Sequence, residues 1–287
     1  MTLFRMYHPQ PPLSAYINLF WLYEGYHPPH EMECVLPDGS MELVINLEED
    51  LIMVYDQKNH DQFKSFRGSL LSGPHSNFVV IDTSAQASTI GVHFKPGGAF
   101  PFLNLPANEL RNEHVSLDTL WGTKAVEIRE QLLEAETPVA KFKILEQYLI
   151  ELMVQSKTNH PAVVFALKKF LASPHQLKIA DVTEQISLSS RRFIQVFKED
   201  VGLTPIQFHR IQRFQNVLRL IEGGEQVDWT DVALFCGYYD QPHFIHEFQS
   251  FSGFAQQPTT YIKVNKKIMF RLMGRVIFLQ YNYSSMT

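Results

Sequence analysis

The chain has 287 residues, of which 45% are apolar and 19% are charged. One hydrophobic core rarely organises so many residues, so we expect two ordered domains and exclude a disordered or disulfide-stapled chain. The formal charge of −5 is uneven: residues 1–159 hold 11 Lys and Arg against 20 Asp and Glu, whereas residues 160–287 hold 14 against 10. Only the second half therefore suits a polyanionic partner.

Nothing in the sequence indicates secretion or a membrane span. The N-terminus lacks a basic region followed by an apolar core and a cleavage site. The apolar stretches at 144–154 and 267–283 are interrupted by charges or glycine. Cys34 and Cys236 lie in different halves and form no CxxC pair, which favours a reduced compartment. We expect a soluble, cytoplasmic protein with no membrane partner.

The first part of the chain consists of short apolar segments separated by turn residues. The segments lie at 16–23, 42–47, 51–55, 78–81 and 89–94. This pattern predicts a β-sandwich or barrel over residues 1–105. From about Asn108 the apolar spacing becomes helical, so residues 106–158 are predicted to be helices that support dimerisation.

After Pro161 the sequence is helical, and it contains an internal repeat. Each copy is a short helix, a tight turn and a second helix with two aromatic residues four positions apart: Phe193 and Phe197 in one, Phe244 and Phe248 in the other. One long helix over 205–221 joins the copies, and Gly223 and Gly224 end it. The first copy starts at 179 and closes at Gly202 to Pro205, and the second starts at 229 and closes at Gly253 with Pro258.

The second helix of each copy has the character of a DNA-reading helix. Such a helix buries one face and presents polar side chains from its N-terminal half, where Arg can bind guanine and Gln can bind adenine. Ser189 and Asp240 are predicted N-caps. The residues predicted to contact DNA are Ser190, Arg191, Arg192, Ile194 and Gln195 in the first copy, and Gln241, His243 and His246 in the second.

Residues 161–262 resemble the DNA-binding domain of the AraC/XylS family. The residues that carry the resemblance are Ile179-Ala180, Ser189, Arg191, Phe193, Phe197, Gly202, Thr204-Pro205, Val232-Ala233, Cys236 to Asp240, Phe244, Phe248, Gly253, Pro258 and Tyr261. The resemblance implies two helix-turn-helix units that bind successive major-groove segments of double-stranded DNA, in a transcription regulator that contacts RNA polymerase.

Three positions depart from the family pattern. Gln195 and His246 stand where the family commonly has a basic residue, and Pro242 stands where it has a small polar one. We expect these changes to weaken contacts to DNA, chiefly in the second unit.

The N-terminal half resembles the cupin-like sensor region of one branch of this family, on Tyr7 to Pro9, Trp21, 36–39, 92–98 and 105–111. This resemblance implies a sensor or dimerisation module and no particular ligand. Aromatic residues often line ligand sites. The predicted effector-binding residues are Phe20, Trp21, Tyr23, Phe94 and Phe100.

Two other functions are alternatives. A cupin-like barrel can be a metal-dependent or small-molecule-converting enzyme, but no HxH motif followed by Glu occurs among the strands, and His27, His30, His75 and His93 are scattered. No catalytic motif or cofactor fingerprint is present, so we expect no enzyme activity, no metal and no cofactor. The departures in the helices favour the second alternative, an interaction protein that has lost DNA binding.

The sequence thus predicts an α+β protein in three parts. Residues 1–158 form the sensor and dimerisation domain, and residues 161–262 form an all-α domain with two helix-turn-helix units. Residues 263–287 are an extension, either a hairpin around Gly274 or an amphipathic helix. The predicted function is a DNA-binding regulator that responds to a small-molecule effector. A second copy of the chain, in a homodimer, is among its predicted partners.

Overall fold

The computed structural model describes residues 2–153, 158–174, 179–222, 229–253, 269–272 and 275–277. The strands within these ranges are β1 (Leu3–Tyr7), β2 (Ile17–Glu24), β3 (Met32–Val35), β4 (Glu42–Asn46), β5 (Ile52–Tyr55), β6 (Phe63–Phe66), β7 (Ser69–Ser72), β8 (Val79–Asp82), β9 (Thr89–Phe94), β10 (His114–Ser116), β11 (Met269–Leu272) and β12 (Arg275–Ile277). The α-helices are α1 (Leu117–Trp121), α2 (Thr123–Glu134), α3 (Pro138–Met153), α4 (Pro161–Ala172), α5 (Ile179–Glu184), α6 (Ser190–Val201), α7 (Pro205–Glu222), α8 (Trp229–Phe235) and α9 (Gln241–Ser252).

The N-terminal half and two strands from the C-terminal extension form a β-sandwich of two six-stranded sheets. The first sheet has the strand order β1-β2-β9-β4-β7-β10, and the second has the order β12-β11-β3-β8-β5-β6. Strand neighbours pair antiparallel except β11 and β3, which run parallel. The predicted β-rich domain is therefore confirmed. Pairing across the chain also makes strands of the segments 3–7, 32–35, 63–66, 69–72 and 114–116, which the apolar pattern did not predict.

Alternation along β4 and β7 divides the sandwich into two apolar layers. Leu43 and Leu71 face a core that includes Ile128 and Leu145 of helices α2 and α3, so these helices cover one face of the first sheet. The neighbouring Val44 and Leu70 point the other way, into the space between the sheets. Successive side chains of a strand lie on opposite faces, which is why one strand serves both layers.

The C-terminal domain is helical, as predicted. Both copies of the repeat fold as helix, turn and helix, and α7 joins them over 18 residues. Gly202 and Gly253 end the second helices in the left-handed conformation, with φ of 85° and 75°. Pro161 occupies the first turn of α4, after the N-cap His160.

The two domains share a hydrophobic core. Cys34, Leu36 and Val80 of the second sheet are buried in the same cluster as the aromatic residues of α6 and α7. Gly202 lies against Pro74 and Ala107, where a Cβ atom would come within 2.5 Å of the proline ring. The helical domain is therefore packed directly on the sandwich.

The C-terminal extension returns to the sandwich. Strands β11 and β12 pair with each other, and β11 pairs with β3 in the register Phe270 to Cys34. Of the two predicted conformations, the described part of the extension adopts the paired strands. Gly274 and the rest of 263–287, like Gly223, Gly224, Pro258 and Tyr261, lie outside the described residues.

Within the described ranges, no helix has the length and apolar character needed to cross a membrane.

Candidate nucleic-acid interface and ligand cavity

The first helix-turn-helix unit presents a polar face on α6. The side chain of Ser189 accepts a hydrogen bond from the backbone N–H of Arg192 at 3.3 Å and so caps the helix. Phe193 and Phe197 are buried, and the ring of Phe197 lies 6.2 Å from that of Phe170 in α4. The residues left on the outer face are Ser190, Arg191, Arg192, Ile194 and Gln195, all exposed.

The second unit repeats this geometry on α9. The carboxylate of Asp240 accepts a hydrogen bond from the backbone N–H of His243 at 2.8 Å. Phe244 and Phe248 are buried on the opposite face. His243 and His246 are exposed, and Gln241 is half-buried. All eight residues predicted to contact DNA thus have solvent-accessible side chains at the N-terminal part of a second helix.

Sequence reasoning missed the buried carboxylate of Glu247. It accepts hydrogen bonds from Nε of Arg210 at 2.6 Å and from Nη2 of Arg213 at 3.2 Å, and it lies 3.6 Å from Nε2 of His243. Arg213 also donates to the carbonyl of Gly237 and lies over the Tyr238 ring. Two arginines of α7, the linker helix between the two units, therefore hold α9 and the turn before it in place.

An inner cavity of about 90 Å³ lies between the two sheets of the sandwich. Its apolar wall comes from strand residues that face the gap. Its polar side chains, except Gln86, gather at the end where Glu42 pairs with Ser72 and His93. The apolar lining includes Val35, Val44, Ile52, Val54, Leu70, Val79 and Ile81, and the polar lining is Asp38, Ser40, Glu42, Ser72, His75, Gln86, His93 and His114.

Two histidines of the cavity are held neutral. Burial, reinforced by the neighbouring His114, lowers the pKa of His75 to about 3. Burial, with a contribution from the Lys64 cation, lowers the pKa of His114 to about 4. Their rings lie 4.6 Å apart, and Nε2 of His75 is 3.1 Å from the hydroxyl of Ser72. At neutral pH these rings offer hydrogen bonds without positive charge.

Two acidic residues, Asp38 and Glu42, lie at the polar end. Asp38 is paired with a histidine. Its carboxylate lies 3.2 Å from Nε2 of His93 and accepts a hydrogen bond from the backbone N–H of Ser40 at 2.8 Å. Burial acts to raise the pKa of Asp38, but the His93 ring and the backbone N–H bonds outweigh it, so the pKa lies below its ordinary value. The carboxylate of Glu42 accepts a hydrogen bond from the Trp21 indole at 2.7 Å.

A wider cleft of about 630 Å³ lies between the sandwich and the helices. Leu171 of α4 and Arg219 of α7 border it on one side, and Lys95 borders it on the other. Its lining shares Asp38, Ser40 and His93 with the inner cavity, so these residues form the wall between the two spaces.

Four of the five aromatic residues predicted to bind an effector line neither the inner cavity nor the interdomain cleft. Phe20 and Phe94 belong to the core beneath α3, and Trp21 and Tyr23 pack in a separate cluster on the first sheet. Phe100 is buried in a short 3₁₀ turn. None of the five lines the inner cavity, and only Phe94 borders the interdomain cleft. The cavity is lined by aliphatic side chains and by polar residues that strand pairing brings together, and no aromatic pattern could reveal either set.

Three of the scattered histidines, His30, His75 and His93, have local partners. His30 lies 2.9 Å from the buried carboxylate of Glu33. Within the described part of the chain, no three His, Cys, Asp or Glu residues gather closely enough to hold a metal ion. Cys34 and Cys236 are both buried and form no disulfide, and burial followed by the Glu33 charge raises the pKa of Cys34 to about 12.

Comparison with known families gives two matches. Residues 182–263 match a family described as a helix-turn-helix domain, and residues 5–116 match one described as a domain of unknown function, DUF6597. A comparison with curated proteins finds no match to the chain.

Among solved structures, ToxT of Vibrio cholerae is similar in overall arrangement. The apo form of a ToxT variant from strain SCE256 gives a TM-score of 0.42 and 14% identity over 91% of this chain and 96% of that chain. Unsaturated fatty acid-bound wild-type ToxT gives 0.41 and 11% over 82% and 92%. These likenesses are distant, so the identification rests on the helix-turn-helix match and the site geometry.

Two capped helix-turn-helix units on one linker helix, each with an exposed polar face, define a DNA-binding transcription regulator. The C-terminal domain matches a helix-turn-helix family, and it is of the AraC type. The chain therefore carries, at its C-terminus, a helix-turn-helix domain of the kind that reads DNA.

Substituting Glu247→Gln should loosen the second unit. The change removes the charge that binds Arg210 and Arg213, and hydrogen bonds to charged groups contribute about 1.5–3 kcal/mol each. Because Arg210 is partly exposed, we expect a loss of about 2 kcal/mol in the free energy of unfolding of the helical domain. Thermal unfolding followed by circular dichroism measures it. The exposed Glu184→Gln is the matched control, and equal midpoints for the two variants would refute the structural role of Glu247.

The neutral histidines make the sandwich sensitive to acid. In the unfolded chain His75 and His114 bind protons below their ordinary pKa of 6.5, whereas in the folded chain they do so only near 3 and 4. The unfolded state thus binds more protons between pH 6.5 and 4, and the free energy of unfolding falls as pH falls, by up to about 1.4 kcal/mol per pH unit for each ring. Denaturant titrations at several pH values measure this slope.

Either His75→Gln or His114→Gln should reduce the slope, and the exposed His60→Gln should preserve it. A slope that is the same in all four proteins would show that the two buried rings do not cause the acid sensitivity.

Proposed function

We propose that the protein is an effector-controlled regulator in which the sandwich binds a small molecule and the two helix-turn-helix units bind double-stranded DNA. The observation that carries the proposal is the pair of N-capped helices α6 and α9, whose aromatic faces are buried and whose polar faces are exposed. The inner cavity, with an apolar wall and a polar end, supports the effector part.

The division into domains at 1–158, 161–262 and 263–287 is part of this proposal. So are the DNA contacts, which we assign to Ser190, Arg191, Arg192, Ile194, Gln195, Gln241, His243 and His246. The chain acts in the cytoplasm, without catalytic activity, and contacts RNA polymerase at its promoters.

We further propose that the protein acts as a homodimer through α2 and α3. These helices expose aliphatic side chains, namely Val126, Leu133, Val139 and Ile150, on a surface otherwise rich in charge. Exposed apolar patches of this kind mark interaction sites. Sedimentation equilibrium of the full chain tests the assembly.

The two units contribute unequally to DNA binding in this proposal. The first unit exposes two arginines, which bind guanine and phosphate strongly, whereas the second exposes two histidines and a half-buried glutamine. Specificity is therefore concentrated in the first unit.

Selection of duplexes from a random pool, at stated low salt, should enrich a defined sequence for the full chain. Arg191→Ala should then weaken binding to that sequence by about 1–3 kcal/mol, and His246→Ala should weaken it by less. Arg67→Ala, on the sandwich, controls for a general loss of positive charge. If no sequence is enriched, the regulator proposal gives way to an interaction protein that does not bind DNA.

A further inference from the structure

The turn of Pro37, Asp38 and Gly39 contacts the inner cavity and the linker helix at the same time. The turn connects β3 to β4. The side chain of Asp38 lines the cavity, while its backbone carbonyl accepts a hydrogen bond from helix α7. Asp38 thus faces the cavity of the sandwich with its side chain and bonds to the helical domain with its backbone carbonyl.

On the helix side, two glutamines hold the turn. Nε2 of Gln212 donates to the carbonyl of Asp38 at 2.6 Å, and Nε2 of Gln215 donates to the carbonyl of Pro37 at 2.7 Å. The glutamines lie three residues apart and share a helix face, and both are buried. They satisfy backbone carbonyls that would otherwise be costly to bury.

Gly39 fits closely against the same helix. Its φ is +84°, and a Cβ atom at this position would lie 2.7 Å from the buried ring of Phe208. Any movement of the turn therefore changes its packing on α7, in addition to the two hydrogen bonds.

On the cavity side, the turn presents a carboxylate that a ligand can reach. Asp38 and Glu42 supply negative charge, and His93 is the basic partner of Asp38. The other two rings of the lining, His75 and His114, are neutral at physiological pH. A ligand with an anionic head would be repelled by the two carboxylates. The neutral rings of His75 and His114 would supply no positive charge to offset this repulsion.

We propose that the inner cavity binds a short amphipathic molecule with a hydrogen-bond-donating head, an amine or an alcohol, that bonds to Asp38 in place of His93. Its apolar part lies among the strand residues between the sheets. Binding shifts the Pro37–Gly39 turn and weakens its bonds to Gln212 and Gln215, which frees the linker helix. This inference rests on the proposed effector control and names its ligand class and its route to the helices.

The ligand class is tested with three probes that share one carbon chain and differ in head group: n-butylamine, n-butanol and butyrate. Calorimetric titration of the full chain should show binding of the amine and the alcohol, with butyrate at least about tenfold weaker. Asp38→Asn should weaken the amine at least about tenfold, whereas the exposed Asp61→Asn should leave it unchanged. Binding of butyrate equal to or tighter than that of the amine would overturn the ligand class, as would no binding by any probe.

A second variant covers the case in which Asp38→Asn does not fold. His93→Leu removes the group that competes for the Asp38 carboxylate, so it should bind n-butylamine more tightly than the unmodified chain. Unchanged or weaker binding by a folded His93→Leu protein would overturn the exchange of partners at Asp38.

The coupling to the linker helix has a reciprocal test. If the ligand weakens the turn–helix contact, then removing that contact must strengthen ligand binding by the same factor, since coupling free energies are reciprocal. The double variant Gln212→Ala and Gln215→Ala should bind n-butylamine about fivefold more tightly, or better. The control is Gln10→Ala with Gln62→Ala, two exposed residues of the sandwich that lie outside α2, α3 and both cavities. An unchanged affinity would overturn the coupling.

These titrations contain no DNA, so they separate the two proposals. Coupled amine binding without selection of any duplex would sustain the inference and refute the DNA-binding function. Duplex selection without coupling between the amine and the two glutamines would refute the inference and leave the DNA-binding function standing.

Discussion

The linker helix α7 is the element on which the rest of the structure depends. Phe208 packs against Phe197 of the first unit, and Phe214 packs against Phe248 of the second, so one helix fixes both DNA-reading helices. The same helix binds the Pro37–Gly39 turn of the sandwich through its buried glutamines. Its position therefore sets the spacing of the units and their attachment to the sensor together.

Much of the helical domain could be predicted from the sequence, because the signals that define each helix lie within a few residues of one another. Aromatic residues four apart and a capping Ser189 or Asp240 determine where each helix begins and which face it buries. The cavity could not be predicted in this way. Asp38 and His93 are 55 positions apart and meet only because β4 and β9 pair, and such long-range pairing leaves no local pattern.

The same limit applies to charge. The excess of basic residues in the second half indicated an affinity for polyanions, yet Arg210 and Arg213 are bound to the buried Glu247. Their guanidinium groups hold α7 against α9, and the Glu247 carboxylate compensates one of the two positive charges before DNA binds. Arg191 and Arg192 lie exposed on α6. All four arginines add equally to the net charge of the sequence. In the fold, two of them bond to a buried carboxylate and two are exposed on the surface of α6.

The return of the chain to the sandwich gives the DNA-reading domain an unusual place in the topology. Because β11 pairs with β3, the helical domain is an insertion between two parts of one sheet, and it is anchored before α4 and again after α9. A domain attached at two points can rotate about the line that joins them, but it cannot move away from the sandwich as a domain on a single linker can. The pairing also falls on Glu33 to Val35, directly ahead of the Pro37–Gly39 turn, so the second anchor is attached to the strand that carries the turn.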